Sequence, residues 1–234
     1  MSIGSDFFRF PHTPHIAWLG EGVPRDDKVL SRHEADLFLS EYIVIEEKID
    51  GANLGLSVDE DGMLRAQNRG AYIDLSIGTG QFSTLASWLT PRQDRIAEAL
   101  FPDLMLFGEW CRAVHSVRYT ALPDWFLVFD VYDRSSKSFW NSLRRNEFAS
   151  SLGLATVPLI QSRSRQSLDS LTGLLGKSAF SDGLAEGMYL RREDDEQTLA
   201  RAKLVRPEFI QQIGDHWSKK SIETNQLAGM NAWH

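Results

Sequence analysis

Hydrophobic and polar positions along the chain predict short strands that alternate with short helices. Apolar runs rich in β-branched and aromatic residues are typical of buried strands, and they cover residues 42–45, 54–58, 104–110 and 125–132. Further strands are predicted over 63–70, 187–192 and 199–205. The second and third strands in chain order are predicted to form a hairpin, because Asp61 and Gly62 between them suit a tight turn.

Apolar residues at helical spacing predict several helices. One begins at Ser31, which has the spacing of a capping box with Glu34, and runs to residue 38. The segment 81–101 is predicted to form two helices, because Pro91 interrupts it and suits the first position of a second helix after Thr90 as its cap. Helices are also predicted over 140–152, 167–175 and 209–213.

The order of these elements predicts the fold class. Strands and helices are mixed without a regular strand–helix–strand repeat, which favours an α+β fold of largely antiparallel sheets flanked by helices. No internal repeat, low-complexity segment or linker divides the chain, so we expect one domain over 1–234. Within it, residues 1–40 are predicted to cap the core and residues 207–234 to form a short polar tail.

Composition indicates a globular protein with an apolar core. Hydrophobic residues make up 42% of the chain and charged residues 24%, which excludes a disordered chain. The formal net charge of -7 argues against a surface broadly coated for nucleic acid, although a local basic groove is compatible with it. Cys111 is the only cysteine, which excludes a disulfide framework and a cysteine-rich zinc site.

The sequence shows no targeting or membrane segment. No apolar run approaches the roughly 20 residues that cross a bilayer, and residues 1–6 lack the basic and apolar regions of a signal peptide. We therefore expect no membrane association and a reducing compartment, most simply the cytoplasm.

The strongest local signal is the stretch 46–53, Glu-Glu-Lys-Ile-Asp-Gly-Ala-Asn, which follows the first predicted strand. That strand would deliver Lys48 to the rim of a pocket, and Gly51 would allow a sharp turn beneath a ligand. A charged hairpin corner has the same pattern, so this stretch alone leaves both interpretations open. Polar groups of distinct types follow in or after the later strands, in the order Arg69, Glu109, Phe129 with Asp130, Glu186, and Arg201 with Lys203.

This ordered set resembles the motifs of the RNA ligase family, specifically its RNA ligase 2-type branch in the covalent nucleotidyltransferase superfamily. The resemblance covers residues 41–209 and rests on the segments 48–53, 107–109, 126–130, 186–191 and 201–206. It implies a nucleotidyltransferase (ATP-grasp-like) core. Asn53 stands where DNA ligases and capping enzymes usually carry arginine, which favours an RNA ligase over both.

The resemblance implies an ATP-dependent RNA ligase, with RNA repair as the expected context. Lys48 would form a lysyl-AMP intermediate with ATP, the AMP would pass to a 5′-phosphate RNA end, and a 3′-hydroxyl would displace it. A lysine has an ordinary pKa of about 10.4, so its nucleophilic form requires a neighbouring cation, a metal or desolvation. Mg²⁺ or Mn²⁺ is the implied metal.

The resemblance also implies a role for each site residue. Arg201 and Lys203 would add positive charge at the phosphates, with Lys203 as the titratable group. Glu109 and Glu186 resemble the carboxylates that bind the ribose and organise the metal, and Glu186 is the stronger metal candidate. The remaining nucleotide-binding residues are Glu46 at the adenine amino group, Phe129 stacked on the adenine, Asn53 and Arg69 at the phosphates or ribose, and Ile49 within the nucleophile motif.

Taken one at a time, several of these residues have a purely structural interpretation. Phe129 lies in an apolar run and is on its own better explained as a core residue, and Glu109 could end a strand in solvent. Arg201 and Lys203 alternate along one strand face and could form an exposed basic stripe opposite the acidic turn 193–196. The order of the motifs favours one site over these separate explanations.

The chain departs from the family pattern in two places. Arg201 replaces the first lysine of the usual Lys-x-Lys motif, and only the 28 residues 207–234 follow Arg206, fewer than an appended RNA-clamping domain needs. We therefore expect self-adenylation as the most secure activity and a partner protein as a candidate source of the clamp. The alternatives are a nucleotidyltransferase with another acceptor (a DNA end, a cap-type end or a protein) and a non-catalytic module that binds nucleotides or RNA ends.

Overall fold

Two β-sheets with helices packed against them make up the fold of residues 7–21, 28–210 and 222–229, which the computed structural model describes. The smaller sheet has four antiparallel strands in the order β10-β9-β1-β8. These strands are β1 (Ile43–Lys48), β8 (Leu159–Ser164), β9 (Gly187–Glu193) and β10 (Thr198–Val205). Because β1 lies between two neighbours, its residues are buried up to Glu47, and Lys48 at its end is partly exposed.

The larger sheet has the order β3-β2-β4-β5-β6, with β7 paired in parallel to β5. Its strands are β2 (Ala52–Val58), β3 (Leu64–Gln67), β4 (Leu104–Trp110), β5 (Phe126–Asp133), β6 (Ser138–Phe139) and β7 (Ala155–Thr156). Strand β4 is apolar from Leu104 to Phe107 because both of its faces are covered. Leu106 and Trp110 join one buried cluster, whereas Met105 and Phe107 join another.

The helices cover faces of both sheets. Helices α2 (Leu85–Leu89), α3 (Gln93–Leu100) and α4 (Ser142–Ser151) bury side chains such as Trp88 and Ile96 against the larger sheet. Helices α1 (Arg32–Leu39) and α5 (Leu168–Leu174) bury Phe38 and Leu171 against the smaller one. The last described helix is α6 (Pro207–Ile210). In the described part of the chain, no helix has the length and apolar character needed to cross a membrane.

Residues 49–51 carry the chain from the smaller sheet to the larger one, between β1 and β2. Gly51 lies in this turn, and a β-carbon there would be 2.9 Å from the Trp110 carbonyl oxygen and 3.1 Å from Cys111 Sγ. Its φ is not positive. Glycine is therefore required here by the close approach of the turn to the end of β4, which corrects the expectation that a sharp turn requires it.

The α+β fold with largely antiparallel sheets is confirmed, as are the seven predicted strands. The capping box of Ser31 and Glu34 is also present at the start of α1. Strand β3 is shorter than predicted, because the Asn68 side chain accepts hydrogen bonds from Gly70 N and Ala71 N (2.8 and 2.9 Å) and turns the chain. The predicted helix 209–213 begins earlier, at Pro207, and residues 211–213 lie outside the described part.

Two local predictions differ from the structure. The predicted start of the second helix at Thr90 is wrong: Thr90 Oγ1 donates a hydrogen bond to the Ala86 carbonyl (2.9 Å) and closes α2, whereas Arg92 is the N-cap of α3. Strand β8 was not predicted because it is an edge strand with largely exposed side chains, so it lacks the apolar pattern of a buried strand.

Candidate active site

A cavity of about 460 Å³ opens beside the junction of β1 and β2. Eight of the residues predicted from the sequence line it: Glu46, Lys48, Ile49, Asn53, Arg69, Glu109, Phe129 and Lys203. They come from both sheets and from the segment after β3, so the fold brings together groups that are up to 157 positions apart (203 less 46). The cavity is therefore the candidate active site.

Lys48 lies at the end of β1 and is paired with the carboxylate of Glu186, the residue before β9. The lysine side chain is 24% exposed and that of Glu186 is 14% exposed. Burial lowers the pKa of Lys48, but the carboxylates of Glu186, Asp50 and Glu109 outweigh this effect and raise the pKa above its ordinary value. Lys48 is consequently held as an ammonium ion in this arrangement.

Glu109 and Asn53 carry polar atoms that have no hydrogen-bond partner among residues 7–21, 28–210 and 222–229. The two residues face each other across β4 and β2. Glu109 Oε2 and both amide atoms of Asn53 are buried without a hydrogen bond, and burial raises the pKa of Glu109 to about 8. Unsatisfied buried polar groups are costly, so their occurrence together on a cavity wall indicates a polar ligand.

Glu47 is a cavity residue that was not predicted. Its Oε2 accepts a hydrogen bond from Ala179 N (2.8 Å), while its Oε1 is buried without a partner. Burial raises the pKa of this carboxyl group. The available signal in the sequence was its position directly before Lys48 in an otherwise buried strand, where a carboxylate is unusual.

Glu46 lines the cavity but both of its carboxylate oxygens are bound within the protein. Oε1 is paired with Arg145 Nη2, and Oε2 accepts from Arg191 Nε at 2.7 Å. Both arginines also donate to the Phe129 carbonyl oxygen, at 2.6 Å each. Glu46 therefore belongs to a buried network that fixes β5 against β1, and its predicted contact with an adenine amino group stays a prediction.

Of the ten predicted site residues, Arg201 and Glu186 are the two that do not line the cavity, and Glu186 still contacts Lys48. Arg201 Nη1 donates to Asp130 Oδ2 (2.7 Å), and its guanidinium lies 3.9 Å from the centre of the Phe139 ring. It does not line the cavity, whereas Lys203, two residues later on β10, does. Asp130 holds the Arg201 guanidinium between the sheets, and the expected contribution of its charge at the phosphates stays a prediction. The idea of an exposed basic stripe fails, since the Arg201 side chain is only 14% exposed.

Phe129 and Ile49 form apolar parts of the wall. Phe129 is 9% exposed and packs edge-on against Phe10, with ring centres 5.2 Å apart. Ile49 is 2% exposed and belongs to the same buried cluster. Phe129 thus serves as a core residue and as part of the cavity surface at once.

Asp50 fastens the turn after Lys48 to the segment that follows β4. Its Oδ2 accepts hydrogen bonds from Ser116 N (2.6 Å) and Val117 N (2.8 Å), and its own backbone N–H donates to the Tyr119 hydroxyl (2.8 Å). His115 of that segment lines the cavity and contacts Gln81 Oε1 at 2.8 Å. Asp50 thereby sets the position of the turn after Lys48 (the proposed nucleophile turn) relative to the opposite wall.

The sequence profile of the RNA ligase family matches residues 41–205, a span that includes every predicted site residue. The chain belongs to the RNA ligase family. The comparison with curated proteins found no match.

Solved RNA ligases of Naegleria gruberi have the same fold. An apo mutant form aligns with a TM-score of 0.61 at 13% identity, over 89% of this chain and 58% of that chain. A mutant with ATP and Mn gives 0.56 at 16% identity, over 87% and 62%. The form with PPi gives 0.57 at 16% identity, over 90% and 62%. The chain thus spans about three-fifths of the length of these ligases.

The residues of this RNA ligase-family site fit a divalent cation of the kind that the family resemblance implies. Carboxylate oxygens are the ligands that Mg²⁺ prefers, and one or two of them suffice when phosphates and water complete the shell. Glu109 offers a buried oxygen without a partner, and Glu186 lies beside Lys48. Among residues 7–21, 28–210 and 222–229, no group of three or more His, Cys, Asp or Glu side chains is arranged as a metal centre, so the protein alone does not form a cage.

Proposed function

We propose that the protein is an ATP-dependent RNA ligase that works through an adenylate on Lys48. In the first step Lys48 Nζ attacks the α-phosphorus of ATP, the bond between the α-phosphorus and its bridging oxygen to the β-phosphate breaks, and pyrophosphate leaves. The amine loses a proton as the N–P bond forms. A 5′-phosphate oxygen of RNA then takes the AMP from Lys48, and a 3′-hydroxyl displaces the AMP as the two strands join.

The observation that carries this proposal is the position of Lys48 among unpartnered polar groups. A buried lysine with a carboxylate partner is also common in structural ion pairs. Here the lysine lines a cavity whose other walls carry the free oxygen atoms of Glu47 and Glu109 and the free amide of Asn53. Donors and acceptors left open in this way suit a nucleotide, and the family match supports the same reaction.

Lys48 must be activated, because its ion pair with Glu186 favours the unreactive ammonium form. The raised pKa keeps the amine protonated, and attack requires the neutral form. Glu186 and Glu109 are the residues that would hold Mg²⁺ or Mn²⁺, and a bound divalent cation would supply positive charge that lowers the pKa of the lysine and stabilises charge on the phosphates. Lys203, on the cavity wall, adds a second positive charge for the same purpose.

The remaining wall residues are proposed to bind the nucleotide. The face of Phe129 provides a stacking surface for the adenine, and Glu47 Oε1 is an acceptor for the adenine amino group. Asn53, Arg69 and Glu109 supply a neutral amide, a cation and a carboxyl group for the ribose and phosphates. Ile49 completes the apolar surface, and Arg201 acts on the phosphates through the overall positive charge of β10.

The acceptor is proposed from the family and not from the cavity. RNA ends with a 5′-phosphate and a 3′-hydroxyl are the chemistry of a repairable break, so we place the reaction in RNA repair in the cytoplasm. A partner protein that supplies further RNA contacts is part of the same proposal.

Two labelled substrates test this function. ATP labelled at the α-phosphate is expected to leave label on the protein, whereas ATP labelled at the γ-phosphate is not, and GTP is expected to label it poorly. RNA with a 5′-phosphate at a nick should chase the label and be joined, while the same RNA with a 5′-hydroxyl should do neither. If the label passes to a DNA end or to a protein instead, that molecule and not RNA is the acceptor. Binding of ATP without any transfer of label to the protein would instead support the alternative that the chain is a non-catalytic module that binds nucleotides.

A further inference from the structure

Residues 222–229 pack along the segment that follows β4, and that segment carries His115 on the wall of the candidate active site. Five backbone hydrogen bonds link the two: Val114 N to Glu223 O (2.9 Å), Asn225 N to Arg112 O (2.9 Å), Gln226 N to Tyr119 O (3.0 Å), Leu122 N to Gln226 O (3.0 Å) and Ala228 N to Leu122 O (2.8 Å). We call residues 111–122 the clamp loop and residues 222–229 the strap. The sequence predicted only a polar tail here, so this pairing was not expected.

Asn225 is the centre of this contact. It is 3% exposed although the strap residues Thr224 and Gln226 on either side of it are exposed. Its Nδ2 donates to the carbonyl oxygens of Cys111 (2.8 Å) and Ala113 (3.1 Å), and its Oδ1 accepts from Tyr119 N (2.8 Å). One side chain thus satisfies three backbone groups on both arms of the clamp loop, which fixes the distance between those arms.

One of the two arms that Asn225 holds also binds Asp50. Tyr119, whose backbone N–H binds Asn225, receives the Asp50 N–H at its hydroxyl. Between the two arms, the N–H groups of Ser116 and Val117 bind the Asp50 carboxylate. Asp50 is two residues from Lys48, so a path of direct hydrogen bonds leads from Asn225 to the nucleophile turn. The same loop carries His115 on the cavity wall.

We propose that Asn225 is a positioning residue for the reaction of Lys48, acting through the clamp loop and Asp50. The inference rests on the proposed adenylation of Lys48, and it assigns the strap to the working active site. Loss of the three side-chain bonds frees the loop and lets the nucleophile turn shift. A displacement of about 1 Å can cost about a hundredfold in rate, so we expect the Asn225→Ala rate of adduct formation at saturating ATP to fall about ten- to hundredfold.

The test compares full-length variants that separate positioning from stability. Asn225→Asp keeps the acceptor for Tyr119 N but replaces the donor to Cys111 and Ala113 with an oxygen, so it is expected to lose rate as Asn225→Ala does. Thr224→Ala alters an exposed side chain of the same strap and is expected to keep the wild-type rate. Leu100→Ala destabilises a buried cluster on the far face of the larger sheet, and is expected to lower the melting temperature while keeping the rate.

Two measurements are made on these proteins below their melting temperatures. The first is the single-turnover rate of AMP addition to Lys48 as a function of ATP concentration, in which the maximal rate should fall more than the ATP affinity. The second is hydrogen exchange at the amides of Ser116, Val117 and Tyr119, which should speed up in Asn225→Ala and Asn225→Asp alone. Wild-type rates in both Asn225 variants, or unchanged exchange in the clamp loop, would overturn the inference. If the wild type forms no adduct, the proposed function fails, and the exchange measurement by itself decides whether Asn225 positions the loop.

Discussion

The ammonium group of Lys48 and the carboxylate of Glu186 form a direct ion pair at the cavity wall, although 138 positions separate them in the chain. Strand pairing explains the contact. In the antiparallel register of β1 and β9, Lys48 lies opposite Gly187, so the residue before β9 comes beside the lysine. Lys48 therefore rests in its charged form, and the proposed reaction must separate it from its partner.

The rate of adduct formation is expected to rise with pH. Although burial lowers the pKa of Lys48, the three neighbouring carboxylates raise it overall, so the neutral amine is a minor species that grows about tenfold per pH unit below the pKa. Single-turnover rates at saturating ATP and Mg²⁺, measured from about pH 6 to 9, check this. A rate that stays level or declines across that range would contradict the assignment of Lys48 as the group that must lose a proton.

Replacement of Glu46 is expected to destabilise the protein strongly. Glu46→Gln leaves the buried Arg145 without its carboxylate partner and leaves Arg191 paired with Asp130 alone, and breaking a buried ion pair typically costs about 3–5 kcal/mol. Glu98→Gln, at an exposed position of α3, should change the free energy of unfolding by no more than about 0.5 kcal/mol. Urea unfolding at neutral pH measures the free energy of unfolding of both variants. Equally small changes in the two would show that the Glu46 network contributes little to stability.

The same carboxylate predicts a loss of stability in acid. Burial acts to raise the pKa of Glu46, but Arg145 and Arg191 outweigh it and lower the pKa below 4.5 in the folded state. Its contribution is therefore fully present above 4.5 and is lost as the pH falls through the lowered folded-state value. Unfolding curves of wild type and Glu46→Gln across this window should converge as the pH falls. Curves that keep a constant separation would contradict the linkage.

Removal of the unpartnered amide of Asn53 is expected to weaken ATP binding without destabilising the apoprotein. Because this amide has no hydrogen-bond partner in the described part of the chain, Asn53→Ala should leave the free energy of unfolding unchanged or raise it by about 1 kcal/mol. Loss of one hydrogen bond to ATP should lower the affinity by about tenfold. Calorimetric titration and urea unfolding measure the two effects.

Ser57→Ala is the matched control for Asn53→Ala. Ser57 Oγ is also buried without a partner and lies on the same strand, but it does not line the cavity. This variant should match Asn53→Ala in stability and keep the wild-type ATP affinity. Equal ATP affinities in the two variants would show that Asn53 does not contact the nucleotide.

A methyl group at Gly51 is expected to impair the active site. The new β-carbon would meet the Trp110 carbonyl oxygen and Cys111 Sγ, so the turn after Lys48 must shift, at a cost of about 1–3 kcal/mol. Gly173→Ala is the control, because nothing lies within 4 Å of a β-carbon at that helical position and alanine favours a helix. The melting temperature and the rate of adduct formation should both fall in Gly51→Ala, and neither should fall in Gly173→Ala. A fully active Gly51→Ala variant would contradict the close packing of this turn against the end of β4.

The sequence predicts the sheets and the cavity residues well, for a physical reason. Buried strands such as β4 need continuous apolar residues, and a polar group of a particular type at the end of such a strand, like Lys48 or Glu109, stands out against that background. These patterns are local in the chain, so they can be recognised without knowing which distant residues each side chain contacts.

Other features depend on long-range partners that no local pattern reveals. The sequence motif does not distinguish Arg201 from Lys203, yet Asp130 draws only Arg201 away from the cavity. Arg145 looks like an ordinary surface residue of α4 and is in fact fully buried against Glu46. Asn225 lies in a polar tail, and its role follows only from the fold of residues more than 100 positions away.

The most direct test of the account is the intact mass of the protein after incubation with ATP and Mg²⁺. The protein is first treated with pyrophosphate, because material purified as an adenylate would otherwise appear unreactive. We predict that the wild type gains the mass of one adenylyl group and that Lys48→Ala gains none. A wild-type mass that stays unchanged, or a Lys48→Ala variant that gains the same adduct, would contradict the claim that Lys48 is the nucleophile.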